Sequence, residues 1–423
     1  MTFTDKSKKQ LSKKVTEILK DVTTPNKNGR KSALIPGVIA GVTDAKKTIY
    51  LHGEGVKNNE TGDAVDVNNQ MSLFSCTKSM TVMAILILYE EGKLNLEVPA
   101  RNYLPLIDEI GLIEKNSVNK DGTFKVEPKK SSSPVTIRHL MLHTAGFSYA
   151  FLNSDYLALS KRNMHINVLY PTRELFATEK FPLIHEPGTK WGYGHNTDWL
   201  GLIVEEITGK KLGEFLQERV FKPAGMTSTT FHLQDDSNLL KLHRRKSNKE
   251  VVFMEQYQVC LDPDVDMGGQ GGFSTVNDYL KFIRIWLNYG TSPDTGNRIL
   301  RKSTVKYAIQ NHLPPGLAVD FGDLGFELPK GIKPDGFTLT GNAYGQNRLP
   351  TGRPKGAIYW SGLANLYYWI DFENQIGGFW GSQLLPYMDP YSLMNYAKFE
   401  MNVYDALENS QSDKSKSKSK SKL

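Results

Sequence analysis

Apolar positions recur at helical spacing near the start of the chain. Leu11, Val15, Ile18 and Leu19 share one face of a segment from Lys8 to Val22, which predicts an amphipathic helix. A polar stretch from Pro25 to Lys31 follows. Ala33 to Thr43 and Lys47 to Gly55 are β-rich apolar runs, close enough in sequence to pair as a hairpin. The pattern changes at Met80. Val82, Met83, Ala84, Ile85, Leu86, Ile87 and Leu88 leave no polar face, which predicts a helix buried on all sides; Gly92-Lys93 ends it. That run is far short of the roughly 18–20 residues of a membrane span, so no span is expected.

From about 95 to 264 the chain reads mostly as helix and loop. Helices are predicted after Pro134 (Val135, Ile137, Leu140, Met141, Leu142), from Asn196 to Thr208 with a stop at Gly209, and from Leu212 to Val220. One or two more follow Gly268, over Val276 to Tyr289 and Ser303 to Asn311. Strands then dominate: Gly356 to Gly362, Leu366 to Asp371 and Gln375 to Leu384, the last two joined by the turn Asp371-Phe372-Glu373-Asn374. A helix from Pro390 to Glu408 closes the ordered part. Strands at both ends with helices between them predict an α/β (α+β) architecture. Residues 1–85 and 265–409 would build one sheet domain, 86–264 an inserted, mostly helical lobe, and 410–423 a disordered Lys/Ser tail.

The hydrophobic share of 39% is that of an ordinary globular chain. The net charge of +7 is concentrated at the end, where residues from Ser410 onward carry five lysines against one aspartate. The remainder is too evenly charged for a nucleic-acid partner. Two cysteines, Cys76 and Cys260, make no disulfide framework. The first residues hold no apolar signal core, and both features point to a reducing, intracellular compartment. The final Ser421-Lys422-Leu423 matches a peroxisomal address read by an import receptor, with a cytoplasmic location as the alternative.

Chemistry concentrates where the buried helix begins. Ser75 and Lys78 stand three residues apart, on one helical face, where hydroxyl and amine can meet as nucleophile and base. The same spacing occurs at Ser117–Lys120 and Ser303–Lys306, but only Ser75 precedes a buried helix. There the helix dipole favours developing negative charge, and desolvation pushes Lys78 toward its neutral form. Cys76 reads as a small packing residue. A second dense segment runs from Pro187 to Gly201, a glycine-rich loop holding Tyr193 ahead of a helix. Tyr193 is either a general acid–base or an aromatic packing residue at a turn.

Ser75-x-x-Lys78, His143-Thr144-Ala145-Gly146 and Pro187-Gly-x-x-Trp-x-Tyr193 together resemble the serine β-lactamase/penicillin-binding-protein superfamily, and within it the class C-like branch of esterases and acyltransferases. Thr136 to Leu140, Ser148 to Leu152 and Gly268-Gly269-Gln270-Gly271 add to the resemblance, which covers roughly residues 30 to 405. It implies a β-lactamase/transpeptidase-like fold, an antiparallel sheet flanked by helices. It also implies roles: Ser75 as nucleophile, Lys78 as its base, Tyr193 as proton carrier, and the backbone N–H groups of Ser75 and Leu363 as an oxyanion hole. Trp360, Ser361, Gly362, His195, Asn196 and Phe151 would contact substrate. The third family motif lacks its lysine here, reading Trp360-Ser361-Gly362, and His195 stands where antibiotic-hydrolysing relatives carry asparagine. Both departures favour an uncharged acyl ester over a β-lactam.

Other motifs carry less. No Gly-x-Ser-x-Gly elbow is present. His139 and His143 stand at i and i+4 without an evident third ligand, and Gly268 to Gly272 lacks a P-loop ending. No metal or cofactor is expected. The expectation is a serine hydrolase of carboxylic esters working through an acyl-enzyme on a small-molecule ester or thioester. Transfer of the acyl group to an alcohol is the alternative. A catalytically inactive binding or scaffold protein on the same fold is the rival of another class.

Overall fold

The computed structural model describes residues 3–25, 32–161, 181–257, 259–325 and 336–420, with the single positions 172 and 334. Helix α1 (Asp5–Thr23) starts at Thr4, whose side chain accepts from the Ser7 N–H while the Ser7 hydroxyl accepts from the Thr4 N–H. This reciprocal cap satisfies two otherwise orphaned donors. Its buried face is Leu11, Val15, Leu19 and Val22. The hairpin β1 (Gly37–Asp44) and β2 (Thr48–Gly55) follows, in the register Gly37↔Gly55 to Thr43↔Thr48. Then come α2 (Lys78–Glu90), α3 (Asn196–Thr208) and α4 (Val276–Leu287). The chain returns to the sheet through β3 (Gly336–Phe337), β4 (Ala343–Tyr344), β5 (Ile358–Gly362), β6 (Leu366–Asp371) and β7 (Ile376–Ser382), and ends in α5 (Pro390–Lys420).

These strands form one seven-stranded antiparallel sheet, in the order β2-β1-β7-β6-β5-β4-β3. The period-two alternation of each strand sorts its side chains onto two faces. Val38, Ala40, Val42, Tyr367, Trp369 and Trp380 pack with α1 and with Phe399 and Val403 of α5. Ile39, Tyr368, Ile370 and Phe379 pack on the other face with α2 and α4. The result is a three-layer core. Trp369 lies across Gly378, where any Cβ would come within 2.2 Å of its ring, so this cross-strand contact requires glycine.

The described residues of 86–264 are largely helix and loop, with two short strands among them, His243–Arg245 and Val251–Phe253, that the apolar pattern did not show. The helix predicted over Leu212 to Val220 is α-helical only at Leu212–Leu216 and widens into a π-turn at Gln217–Phe221. The backbone of α5 runs on to Lys420, across residues read from composition as disordered. A formed helix propagates at little cost through residues that tolerate it. Ser421 to Leu423, the expected peroxisomal address, lie outside the described residues. No described helix is long and apolar enough to cross a membrane.

A buried ion pair fastens α5 to the loop that leads into β5. Arg353 Nε lies 2.8 Å from Glu400 Oε1, with both side chains almost fully buried. Glu400→Ala leaves that guanidinium without its counter-charge, and is expected to destabilise the fold by about 3–5 kcal/mol. Chemical denaturation of the two proteins measures this directly; an unchanged midpoint would show that the pair carries no net stability.

Candidate active site

Ser75 lies in a 3-10 turn, Phe74–Thr77, that runs straight into α2. Three residues per turn stack positions i and i+3, which brings Lys78 over Ser75. Phe74 enters this turn with a left-handed φ of 46°, an uncommon conformation for an aromatic residue, and it aims the serine outward from the helix start. Lys78 Nζ donates to Ser75 Oγ at 3.1 Å, to Tyr149 Oη at 3.1 Å and to the Gly269 carbonyl at 2.8 Å. All three ammonium donors are used. The side chain is fully buried, and that burial pulls its pKa down to about 8, against the opposing charge of Asp198.

Tyr193 lines the same cavity as the serine. Trp360 Nε1 donates to its hydroxyl at 3.1 Å. Burial pushes the phenol up, while hydrogen bonds with Ser75 and Trp360 pull the other way. Lys78 Nζ lies 4.7 Å from the Tyr193 ring centroid, close enough for the ring face to stabilise the ammonium. The loop bearing Tyr193 is pinned to the His143–Gly146 turn: Gly192 N–H donates to the His143 carbonyl at 2.7 Å and Gly188 N–H to Thr144 at 2.7 Å. A Cβ on Gly194 would lie 2.4 Å from the Ser148 nitrogen, so glycine alone allows that approach.

The end of β5 closes the site. A Cβ on Gly362 would fall 2.6 Å from the Leu73 carbonyl, which places the strand end directly against the turn that carries Ser75. Ser75, Tyr193, His195, Phe151, Trp360, Ser361, Gly362 and Leu363 all line one cavity of about 470 Å³ with mostly aromatic walls. Ser361 Oγ lies 2.7 Å from Tyr387 Oη, and Phe151 stacks on Tyr149 at 5.2 Å with half its surface exposed.

Asn196 is the correction. It was expected to contact substrate, but it is fully buried behind the cavity wall, with Nδ2 2.9 Å from His143 Nδ1. It is the first residue of α3, and its side chain turns inward to the His143 turn rather than outward.

Two contributors escaped the sequence reading. Tyr149 receives a hydrogen bond from Lys78; it was noted only as part of a shared pattern, since a tyrosine after a turn has the composition of a packing residue. Asp198, three residues after His195 and in the first turn of α3, accepts from the Gly269 N–H at 2.7 Å and so fixes the carbonyl that holds Lys78. Its charge also raises the Lys78 pKa. A carboxylate in the first turn of a helix was the available signal. Tyr149→Phe removes a hydrogen bond to the charged amine. The expected result is a roughly threefold to thirtyfold loss in kcat and a pH–rate midpoint moved to lower pH. A variant with an unmoved midpoint would leave Tyr149 as packing only.

The family profile described as Beta-lactamase matches residues 22–400, and the chain belongs to that family. It is an enzyme of the acyltransferase and esterase type found there. The ML-236A carboxylate methylbutanoyltransferase of Penicillium citrinum is 25% identical over 92% of this chain and 95% of its own length. The monacolin J acid methylbutanoyltransferase of Aspergillus terreus is 26% identical over 88% of this chain and 92% of its own. The lovastatin esterase of Penicillium rubens is 26% identical over 81% and 88%. Among solved structures, a mutant of the simvastatin synthase of Aspergillus terreus superposes with a TM-score of 0.74 at 24% identity, covering 95% of this chain and 97% of that one. EstCE1, a hydrolase with promiscuous acyltransferase activity, gives 0.72 at 18% identity, over 95% and 99%. At these identities the structural matches speak for the fold.

Proposed function

We propose that the protein is a serine hydrolase of carboxylic esters that works through an acyl-enzyme on Ser75. The observation that carries this is a buried lysine, depressed to about pKa 8, 3.1 Å from the serine hydroxyl. Ser75 Oγ attacks the ester carbonyl and its proton passes to Lys78. Tyr193, which lines the same cavity as the serine, hands a proton to the leaving alcohol. The N–H groups of Ser75 and Leu363 receive the tetrahedral oxyanion, an arrangement supported by the close approach of Gly362 to Leu73. Water then attacks the acyl-enzyme by the reverse route.

A second reading is favoured by the cavity walls. Aromatic walls disfavour water and would let a bound alcohol compete as acceptor, which would make the enzyme a transferase. The methylbutanoyltransferases of Penicillium citrinum and Aspergillus terreus among its relatives are in keeping with this.

Intact-protein mass after brief exposure to p-nitrophenyl butyrate, with and without 1-butanol, tests both. One butyryl group, mapped to the Ser75 peptide, is expected. Faster loss of the adduct with 1-butanol, with butyl butyrate formed, makes the enzyme a transferase; unchanged decay makes it a hydrolase. Folded protein that gains no adduct and is not labelled by an alkyl fluorophosphonate would leave the inactive scaffold. The peroxisomal address is a separate proposal: deleting Ser421 to Leu423 should disperse a punctate reporter, and unchanged puncta would refute it.

A further inference from the structure

The cavity wall carries two polar side chains, on α3's N-terminal end and on the Gly269 loop, that the chemistry at Ser75 leaves unused. His195 lines the cavity with its Nδ1 3.3 Å from Asp198 Oδ2. The carboxylate therefore holds the proton on Nδ1 and leaves Nε2 as a hydrogen-bond acceptor, a tautomer assigned from this contact. Gln270 lines the same cavity, is only 5% exposed, and has an amide nitrogen buried without a hydrogen-bond partner, so a half-turn of the amide breaks no bond and brings this free donor to the cavity. A buried amide donor left unpaired costs free energy until something accepts from it.

One carboxylate positions both. Asp198 is itself buried; its Oδ2 faces His195 and its Oδ1 accepts from the N–H of Gly269, the residue before Gln270. The Gly269 loop is held tightly, since a Cβ there would lie 2.8 Å from both carboxylate oxygens. An acceptor imidazole and a donor amide in an aromatic wall complement a group that both donates and accepts. A hydroxyl is the simplest such group.

We propose that His195 and Gln270 form a subsite for a non-reacting hydroxyl on the substrate, with Asp198 as the positioning residue for both. This rests on the acyl-enzyme reading of the same cavity. The substrate class is then a hydrophobic ester in which one half carries an additional hydroxyl. That half is either the acyl donor or the alcohol acceptor.

The test compares p-nitrophenyl hexanoate with its 2-, 3- and 6-hydroxy counterparts as donors, and 1-hexanol with 1,2- and 1,6-hexanediol as acceptors. The quantity read is the ratio of kcat/KM for the hydroxylated over the plain compound. The wild type is expected to favour at least one hydroxylated member by about tenfold, because a site built around a hydroxyl rejects its deoxy analogue. The ratio should fall to about one in His195→Phe and in Gln270→Leu, and recover in part in His195→Gln. The series that shows the preference identifies the half that carries the hydroxyl. Fluorophosphonate labelling of Ser75 counts folded sites in every variant. Turnover of plain hexanoate by the wild type reports the acyl-enzyme reading separately. Wild-type turnover with no hydroxyl preference in either series would overturn the subsite, as would a preference that survives both substitutions.

Discussion

Ser75→Ala is expected to gain no acyl group from p-nitrophenyl butyrate, and to lose about 10⁴-fold or more in kcat/KM. The loss is this large because without the serine hydroxyl no acyl-enzyme can form. The residual rate would come from binding and from the oxyanion donors. The fold should not suffer. Ser75 is only half-buried, and Lys78 keeps its bonds to Tyr149 and to the Gly269 carbonyl when the hydroxyl is gone. Thermal unfolding of the variant should therefore match the wild type. The adjacent thiol offers no bypass: Cys76 is fully buried, and burial pushes its pKa well above the ordinary value, so it stays a neutral thiol. A Ser75→Ala protein with undiminished esterase activity would place the nucleophile elsewhere in the chain.

What the sequence shows of this enzyme depends on how local the cause is. Helix α3 was legible to the residue: it ends at Thr208 because Gly209 takes the left-handed conformation, with φ at 68°, and closes the last turn. The β6–β7 hairpin was equally plain, since its alternation and turn residues lie within one short segment. The Ser75–Lys78 pair could be located because a three-residue spacing and a buried helix are both local signals. Tyr149 and Asp198 act through partners far away in sequence, Lys78 and Gly269, and no spacing rule connects them. Asn196 failed for a related reason. The resemblance fixed its place in the motif but not the direction of its side chain, which a distant histidine sets. The short strands β3 and β4 are two residues each and exist because β5 offers an edge to β4, and β4 in turn to β3; no two-residue pattern can announce that.

Lys78→Met should lower kcat/KM by about 10³-fold, within the range that a positioned general base supplies. Methionine is unbranched and fills a similar volume, so the site stays packed. The pH profile distinguishes a base from a structural cation. Burial lowers the lysine from its ordinary 10.5 to about 8, with Asp198 and then Cys76 acting in the opposite direction. Only the neutral amine accepts the serine proton. Wild-type kcat/KM should therefore climb with pH up to about 8, tenfold per unit on the acid side, and level off above it. Lys78→Met should lack that step. Stability carries the same signature with its own sign. Between about pH 8 and 10.5 the unfolded chain binds a proton at this lysine that the folded chain has released, so wild-type stability from this group rises across that window. Below pH 8 both states hold the proton, and the folded protein bears the cost of burying the charge. Methionine removes that cost, which offsets the lost bond to the Gly269 carbonyl. At pH 7 the variant should unfold at no lower denaturant concentration than the wild type. An inactive variant that also unfolds early would make Lys78 a structural strut, and a wild-type profile flat through pH 8 would take the base assignment away from it.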